Sequence, residues 1–84
     1  MTARIHIDGG GEGEAESLTR EVLEVRVDRA FAPGTPLRAT VECGDGEVAI
    51  EARVVGARRG EDGWFELRLR LVNLRRETRE VLIR

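Results

Sequence analysis

The sequence predicts an all-β fold: a small six-stranded antiparallel β-barrel followed by one short C-terminal α-helix. Three observations support this prediction. Apolar residues alternate with polar ones in several segments, glycine- and proline-rich turns separate these segments, and the alternation ends after Asn73. Strands with one apolar face each must curl and close to shield that face from water. The length of 84 residues corresponds to a single domain over 1–84.

The first half of the chain predicts three strands. The first covers 3–7, where alanine and isoleucine alternate with arginine and histidine. The glycine-rich segment 9–14 predicts a mobile hairpin loop, and a weak second strand follows over 15–18. A third strand covers 23–27, where leucine and valine alternate with charged residues. Two prolines and a glycine within 31–36 then predict a turn.

The second half predicts a hairpin and a closing strand. Apolar and polar residues alternate on both sides of Asp45-Gly46, a dipeptide typical of tight β-turns, so 38–55 is predicted as an antiparallel hairpin. Another turn is predicted over 60–63. The clearest strand follows over 65–71, where phenylalanine and three leucines alternate with glutamate and arginine.

The hydrophobic period changes near the C-terminus. Apolar residues recur there at helical spacing, which predicts an amphipathic helix over about 74–83 with Asn73 as its N-cap. Arg75 and Arg79 are four residues apart and would share one side of this helix. A solvated helix face is the favoured interpretation of this arginine pair.

Charge and hydropathy exclude several classes of protein. All 14 basic residues are arginine, 16 residues are acidic, and the net charge is −2, which disfavours a nucleic-acid-binding protein. No apolar run approaches the ~20 residues that span a bilayer, so no membrane insertion is expected. The N-terminus has no apolar signal region, which predicts a cytoplasmic protein.

Few residues are suited to catalysis or metal binding. Cys43 is the single cysteine and His6 the single histidine. A zinc site needs three or four converging ligands, and a nucleophile needs a nearby base. We therefore expect no enzyme activity, no metal and no cofactor. His6 is interpreted as a surface residue and Cys43 as a buried or half-buried small hydrophobe.

The order of these segments resembles a PilZ domain, the small β-barrel best known for binding cyclic diguanylate. The resemblance rests on four segments, which are 15–22, 31–38, 51–55 and 64–74. It implies a PilZ-like barrel over nearly the whole chain.

The two nucleotide-binding motifs of that family are altered in this sequence. The family places Arg-x-x-x-Arg just before the barrel, but the chain starts almost at the first strand, and Asp8 stands four residues after Arg4. In place of Asp/Asn-x-Ser-x-x-Gly, this chain has Ser17, Thr19 and Val22. A β-branched residue disfavours the positive φ that glycine adopts easily. The resemblance therefore predicts a degenerate member that does not bind cyclic diguanylate in the usual mode.

Family members without these motifs are thought to dock on other proteins in bacterial signalling or motility. The resemblance thus implies a protein-interaction module whose partner is another protein. Homo-oligomerisation through an open barrel edge or the helix is one version of it. The predicted interaction surface consists of Trp64, Arg68, Arg70, Arg75 and Arg79.

Two questions stay open at this point. Phe65 has the parity of the inward leucines, so Trp64 should point outward as a contact anchor, although burial under a loop or the helix is an equal alternative. The alternative function is a small-ligand sensor that binds a cyclic dinucleotide or another anion. Its arginines would be Arg4, Arg20, Arg58 and Arg59.

Overall fold

The computed structural model of the protein describes residues 3–44, 46–60, 62–73, 75, 76 and 80. Apart from Arg76 and Glu80, which are in helical conformation, its regular secondary structure within these ranges consists of strands, which confirms the predicted antiparallel β-structure. Buried and exposed residues alternate along them because successive side chains point to opposite faces of a sheet. The strands are β1 (Ala3–Ile7), β2 (Glu12–Thr19), β3 (Val22–Val27), β4 (Pro36–Cys43), β5 (Gly46–Arg59) and β6 (Phe65–Val72).

The six strands form a closed antiparallel barrel in the order β1-β2-β3-β6-β5-β4. Two pairings between strands that are distant in sequence close it, namely β1 with β4 and β3 with β6. Every described strand therefore has a neighbour on both sides, and the barrel has no open edge among them. The predicted route to homo-oligomers through an open barrel edge is wrong for this reason.

Aliphatic side chains from all six strands fill the barrel. Leu69 and Leu23 are fully buried and lie opposite each other on β6 and β3. Phe65 is partly buried against the same core. The inward faces predicted from alternation are thus confirmed. The core residues are Ile5, Ile7, Ala15, Leu23, Val25, Val27, Leu37, Ala39, Val41, Ile50, Ala52, Val54, Leu67, Leu69 and Leu71.

Strand β2 begins at Glu12, so the prediction that 12–14 belong to the preceding loop is wrong. Gly13 is the register partner of Val27, and its backbone lies against β3. A Cβ atom at Gly13 would be 1.8 Å from the backbone oxygen of Arg26. Glycine is required there because the two strands approach too closely for any side chain.

The predicted hairpin over 38–55 is confirmed, but β5 continues to Arg59. The pairing of β5 with β6 shifts between Val54 and Gly56, so Val55 is the extra residue of a β-bulge. Val55 follows the alternation of Glu51 and Arg53 and is exposed on the same outer face.

The turn of this hairpin is one residue earlier than predicted. Cys43 pairs with Gly46, so positions 44 and 45 connect the two strands, and Asp45 is outside the described residues. Gly44 has a φ of 57°, in the left-handed region that glycine adopts without strain.

The predicted C-terminal helix over about 74–83 is not supported, because it lies almost entirely outside the described residues. Of the described residues in this range, Arg76 and Glu80 are in helical conformation, and Arg76 Nε lies 3.4 Å from Glu80 Oε1. Asn73, the predicted N-cap, has a φ of 55°, whereas an N-cap residue is normally in the β region. Among the described residues there is also no helix with the length and apolar character needed to cross a membrane.

Candidate functional site

The outer face of the barrel carries the predicted functional residues, and its charges are ordered across the strands. One row of residues crosses five strands and alternates in sign, since each member is the register partner of the next. Opposite charges in this cross-strand arrangement attract each other. We call this row the charge belt. Its members, in order, are Arg4, Glu14, Arg26, Glu66 and Arg58.

The four arginines predicted as an alternative anion site lie on three different elements. Arg4 is on β1 and Arg20 is in the β2–β3 turn, whereas Arg58 and Arg59 end β5. The Arg58 Nε donates a hydrogen bond to Glu66 Oε2 at 2.9 Å, and this bond raises the pKa of the guanidinium. The structure therefore does not gather these four arginines into one site.

Trp64 precedes β6 and is 37% exposed, while Phe65 turns inward, as their parity predicted. The guanidinium of Arg26 lies over the indole, 5.6 Å from the ring centroid, within the range of a cation–π interaction. Arg26 Nη2 also forms an ion pair with Asp62 Oδ2, and the Trp64 backbone N–H faces Asp62 Oδ1 at 3.4 Å. Arg26 thus covers part of Trp64. The sequence alone did not indicate Arg26 as a neighbour of Trp64, because only the pairing of β3 with β6 places the two residues side by side.

An open groove of about 290 Å³ lies beside Trp64. Carboxylates outnumber guanidiniums along it, which disfavours a phosphate ligand because like charges repel. The charged residues that line it are Arg4, Arg26, Glu12, Glu14 and Asp28.

The predicted interaction surface divides into separate parts. Arg68 and Arg70 project outward from β6, and Arg70 Nε lies 3.4 Å from Glu21 Oε2. Trp64 precedes the same strand, beside Arg26. Arg75 is exposed, and Arg79 is outside the described residues.

The segment that replaces the second signature of the PilZ family forms the end of β2, a two-residue turn and the start of β3. Thr19 pairs with Val22, and Arg20 rather than Val22 has a positive φ, of 57°. The Ser17 hydroxyl donates a hydrogen bond to Glu24 Oε2 at 3.2 Å. The hydroxyl at the first position of the motif is therefore already hydrogen-bonded to a carboxylate.

His6 lies on the outer face of β1 between two carboxylates. Its Nδ1 is 3.0 Å from Glu12 Oε1 on β2, and its Nε2 is 2.8 Å from Glu42 Oε2 on β4. These contacts raise the pKa of His6, with the largest effect from the Glu42 hydrogen bond. The sequence indicated an outward histidine but not these partners, since Glu42 reaches it only through closure of the barrel.

Cys43 is half-buried and packs against the core, as its place at the end of an apolar face predicted. Burial raises the pKa of its thiol, which disfavours the reactive thiolate. No group of three or more histidine, cysteine, aspartate or glutamate side chains is arranged to hold a metal ion in the described part of the chain.

Comparison with known proteins gives one family. The sequence profile of the PilZ domain matches residues 5–84, nearly the full chain. No curated protein and no solved structure gave a significant match.

Proposed function

The chain belongs to the PilZ domain family, and we propose that it is a non-enzymatic module that docks on another protein and does not bind cyclic diguanylate in the usual family mode. PilZ domains are in general binding modules that interact with proteins and with cyclic diguanylate. The cytoplasmic location and the role in bacterial signalling or motility stay predictions from family resemblance.

The main support for this proposal comes from the structure of the β2–β3 hairpin. The family's second motif supplies guanine-binding side chains and a glycine at this position. In this chain the Ser17 hydroxyl is bonded to Glu24, Glu21 stands in the turn, and Val22 is extended within β3. The hydroxyl that would face a guanine is thus already hydrogen-bonded, and Val22 cannot take the positive φ of the family's glycine without strain.

Two further features support docking on a protein. Trp64 is partly exposed, and tryptophan is enriched among the residues that dominate protein interfaces. The described strands form a closed barrel, so a partner cannot add a strand to an edge and must be recognised by outward side chains.

Calorimetric titration with cyclic diguanylate tests the negative part of the proposal. We expect no heat of binding from the protein. Micromolar binding that is abolished by Arg20→Ala would overturn it in favour of the small-ligand sensor.

Photo-crosslinking in host cells tests the positive part. A crosslinker at position 64 should capture a protein partner that a crosslinker at position 47, an exposed site at the start of β5, does not capture. The wild-type protein should retain this partner in a pull-down, and Trp64→Ala should lose it. Equal capture from both positions would contradict docking through Trp64.

A further inference from the structure

Arginines on the strands of this barrel generally lie opposite a glutamate in a neighbouring strand. Such pairs stabilise a sheet, whereas like charges directly opposite each other destabilise it. Among the described strands, Arg53 on β5 breaks this rule because its register partner on β6 is Arg70. The regular pairs are Arg4 with Glu14, Arg26 with Glu66, Arg38 with Glu51, Arg58 with Glu66 and Arg68 with Glu24.

The two guanidiniums of this like-charged pair are held by groups on opposite sides of it. Arg53 Nη1 donates a hydrogen bond to the backbone oxygen of Gly34 at 3.1 Å, whereas Arg70 Nε lies 3.4 Å from Glu21 Oε2. Arg53 makes no ion pair with any described residue. Arg53 therefore has no carboxylate partner among the described residues, although it lies opposite a second cation.

A second like-charged pair shows the contrast. Glu42 on β4 lies opposite Glu47 on β5, but Glu42 is also the register partner of Arg4 on β1, and its Oε2 lies 2.8 Å from His6 Nε2. The chain compensates that repulsion with its own side chains. For Arg53 it provides only a neutral carbonyl oxygen.

Apolar side chains flank the paired arginines. Val55 follows Arg53 by two residues on β5, and Val72 follows Arg70 by two residues on β6. These valines are 47% and 44% exposed, and they are two of the three large exposed hydrophobic residues in the described ranges. A chain bound at the arginines would also contact these valines, and burial of their exposed apolar area would add to its affinity. We call these four residues the arginine–valine patch.

We propose that the arginine–valine patch binds an acidic protein segment in which carboxylates alternate with aliphatic side chains. This inference rests on the proposed docking function and adds a second contact surface to Trp64, together with the chemistry of the segment it binds. A guanidinium pair can hold a carboxylate by charge-assisted hydrogen bonds, while the valines contact neighbouring aliphatic groups. The patch contains no aromatic side chain on which a nucleotide base could stack, which favours a peptide over a nucleotide.

Selection of short random peptides displayed on phage, with the wild-type chain as bait, tests the proposal. The enriched peptides should contain aspartate or glutamate next to leucine, isoleucine or valine. One enriched peptide, synthesised with a fluorescent label, should bind in an anisotropy titration and lose affinity as salt is raised, because salt screens exposed charges.

Charge reversal in the patch separates loss of binding from loss of folding. Arg53→Glu places a carboxylate opposite Arg70 and removes the like-charge repulsion, so the Tm of the unbound protein should hold or rise. Affinity for the peptide should nevertheless fall by about tenfold or more, as should the affinity of Arg70→Glu.

Val72→Ser tests the apolar contribution and should weaken binding without changing charge. Arg59→Glu, an exposed arginine at the end of β5, is the matched control and should bind like wild type.

Three results would overturn the proposal. They are failure to enrich any peptide, enrichment of peptides without acidic residues, and equal binding of the enriched peptide to wild type and Arg53→Glu. If one of these occurs while position 64 still crosslinks a partner, the docking function stands and only the patch is wrong. Binding of cyclic diguanylate that Arg53→Glu abolishes would instead contradict both the patch proposal and the proposed function.

Discussion

The contribution of His6 to the stability of the folded protein depends on pH. Carboxylate oxygens face both of its ring nitrogens, and only the protonated imidazolium carries an N–H on each. The pKa of His6 is accordingly raised above its usual 6.5. A group whose pKa is raised by folding stabilises the folded state fully below the unfolded-state pKa. This stabilisation is lost as pH rises through the folded-state pKa.

We therefore expect His6→Gln to lower the Tm most at pH values below 6.5, the usual pKa of the side chain. The difference from wild type should shrink as pH rises through the folded-state pKa. Thermal unfolding of both proteins across this range measures the effect. Arg4→Gln, on the same face of β1, is the control, because arginine does not titrate there. A difference between wild type and His6→Gln that does not change with pH would refute the coupling.

At the level of strands, the alternation of apolar and polar residues predicted which side chains of each strand face the core. The strand ends that were predicted wrongly have local exceptions to this alternation. The inward faces of β1, β3, β4 and β6 were predicted correctly. The start of β2 was missed because Glu12, Gly13 and Glu14 have no apolar side chain. The end of β5 was missed because the bulge at Val55 interrupts the alternation.

Alternation does not reveal which strands are neighbours. The pairs β1–β4 and β3–β6 join segments that are distant in sequence, and their registers appear only in the folded barrel. Both contacts of greatest functional interest depend on register. His6 reaches Glu42 through the β1–β4 pair, and Arg53 faces Arg70 across β5 and β6. The sequence could therefore indicate outward arginines but not which two are opposed.

The close approach of β2 and β3 at Gly13 gives a prediction about strand pairing. In Gly13→Ala, the added Cβ would lie 1.8 Å from a backbone oxygen of β3, and no side-chain rotation can relieve that clash. We expect a loss of about 1–3 kcal/mol or more in the free energy of unfolding. Urea denaturation measures it.

Gly46→Ala is the matched control for that experiment. Gly46 begins β5, and no atom lies within 4 Å of the place that an added Cβ would take. Its replacement should therefore change stability by less than about 0.5 kcal/mol. Equal effects at the two glycines would show that the close contact of β2 with β3 is not the cause of the destabilisation.

For the whole molecule, the barrel consists of two three-stranded meanders that cover each other. One contains β1, β2 and β3, and the other contains β4, β5 and β6. The β1–β4 and β3–β6 pairs seal them together. Neither meander can bury its apolar face without the other, so we expect the barrel to unfold in one cooperative transition.

Leu69→Ala tests this cooperativity, because Leu69 is fully buried and lies between Leu23 on β3 and Val54 on β5. Truncation of a buried leucine costs about 2–5 kcal/mol, and a chain of this length has a total stability of about 4–13 kcal/mol. The variant should therefore unfold at a much lower urea concentration. Trp64 fluorescence and far-ultraviolet circular dichroism should still report the same single midpoint. Arg68→Ala, one residue earlier on the outer face of β6, should change stability by less than about 0.5 kcal/mol. Separate midpoints for the two signals would show that the meanders unfold independently, contrary to the mutual burial that closure of the barrel imposes.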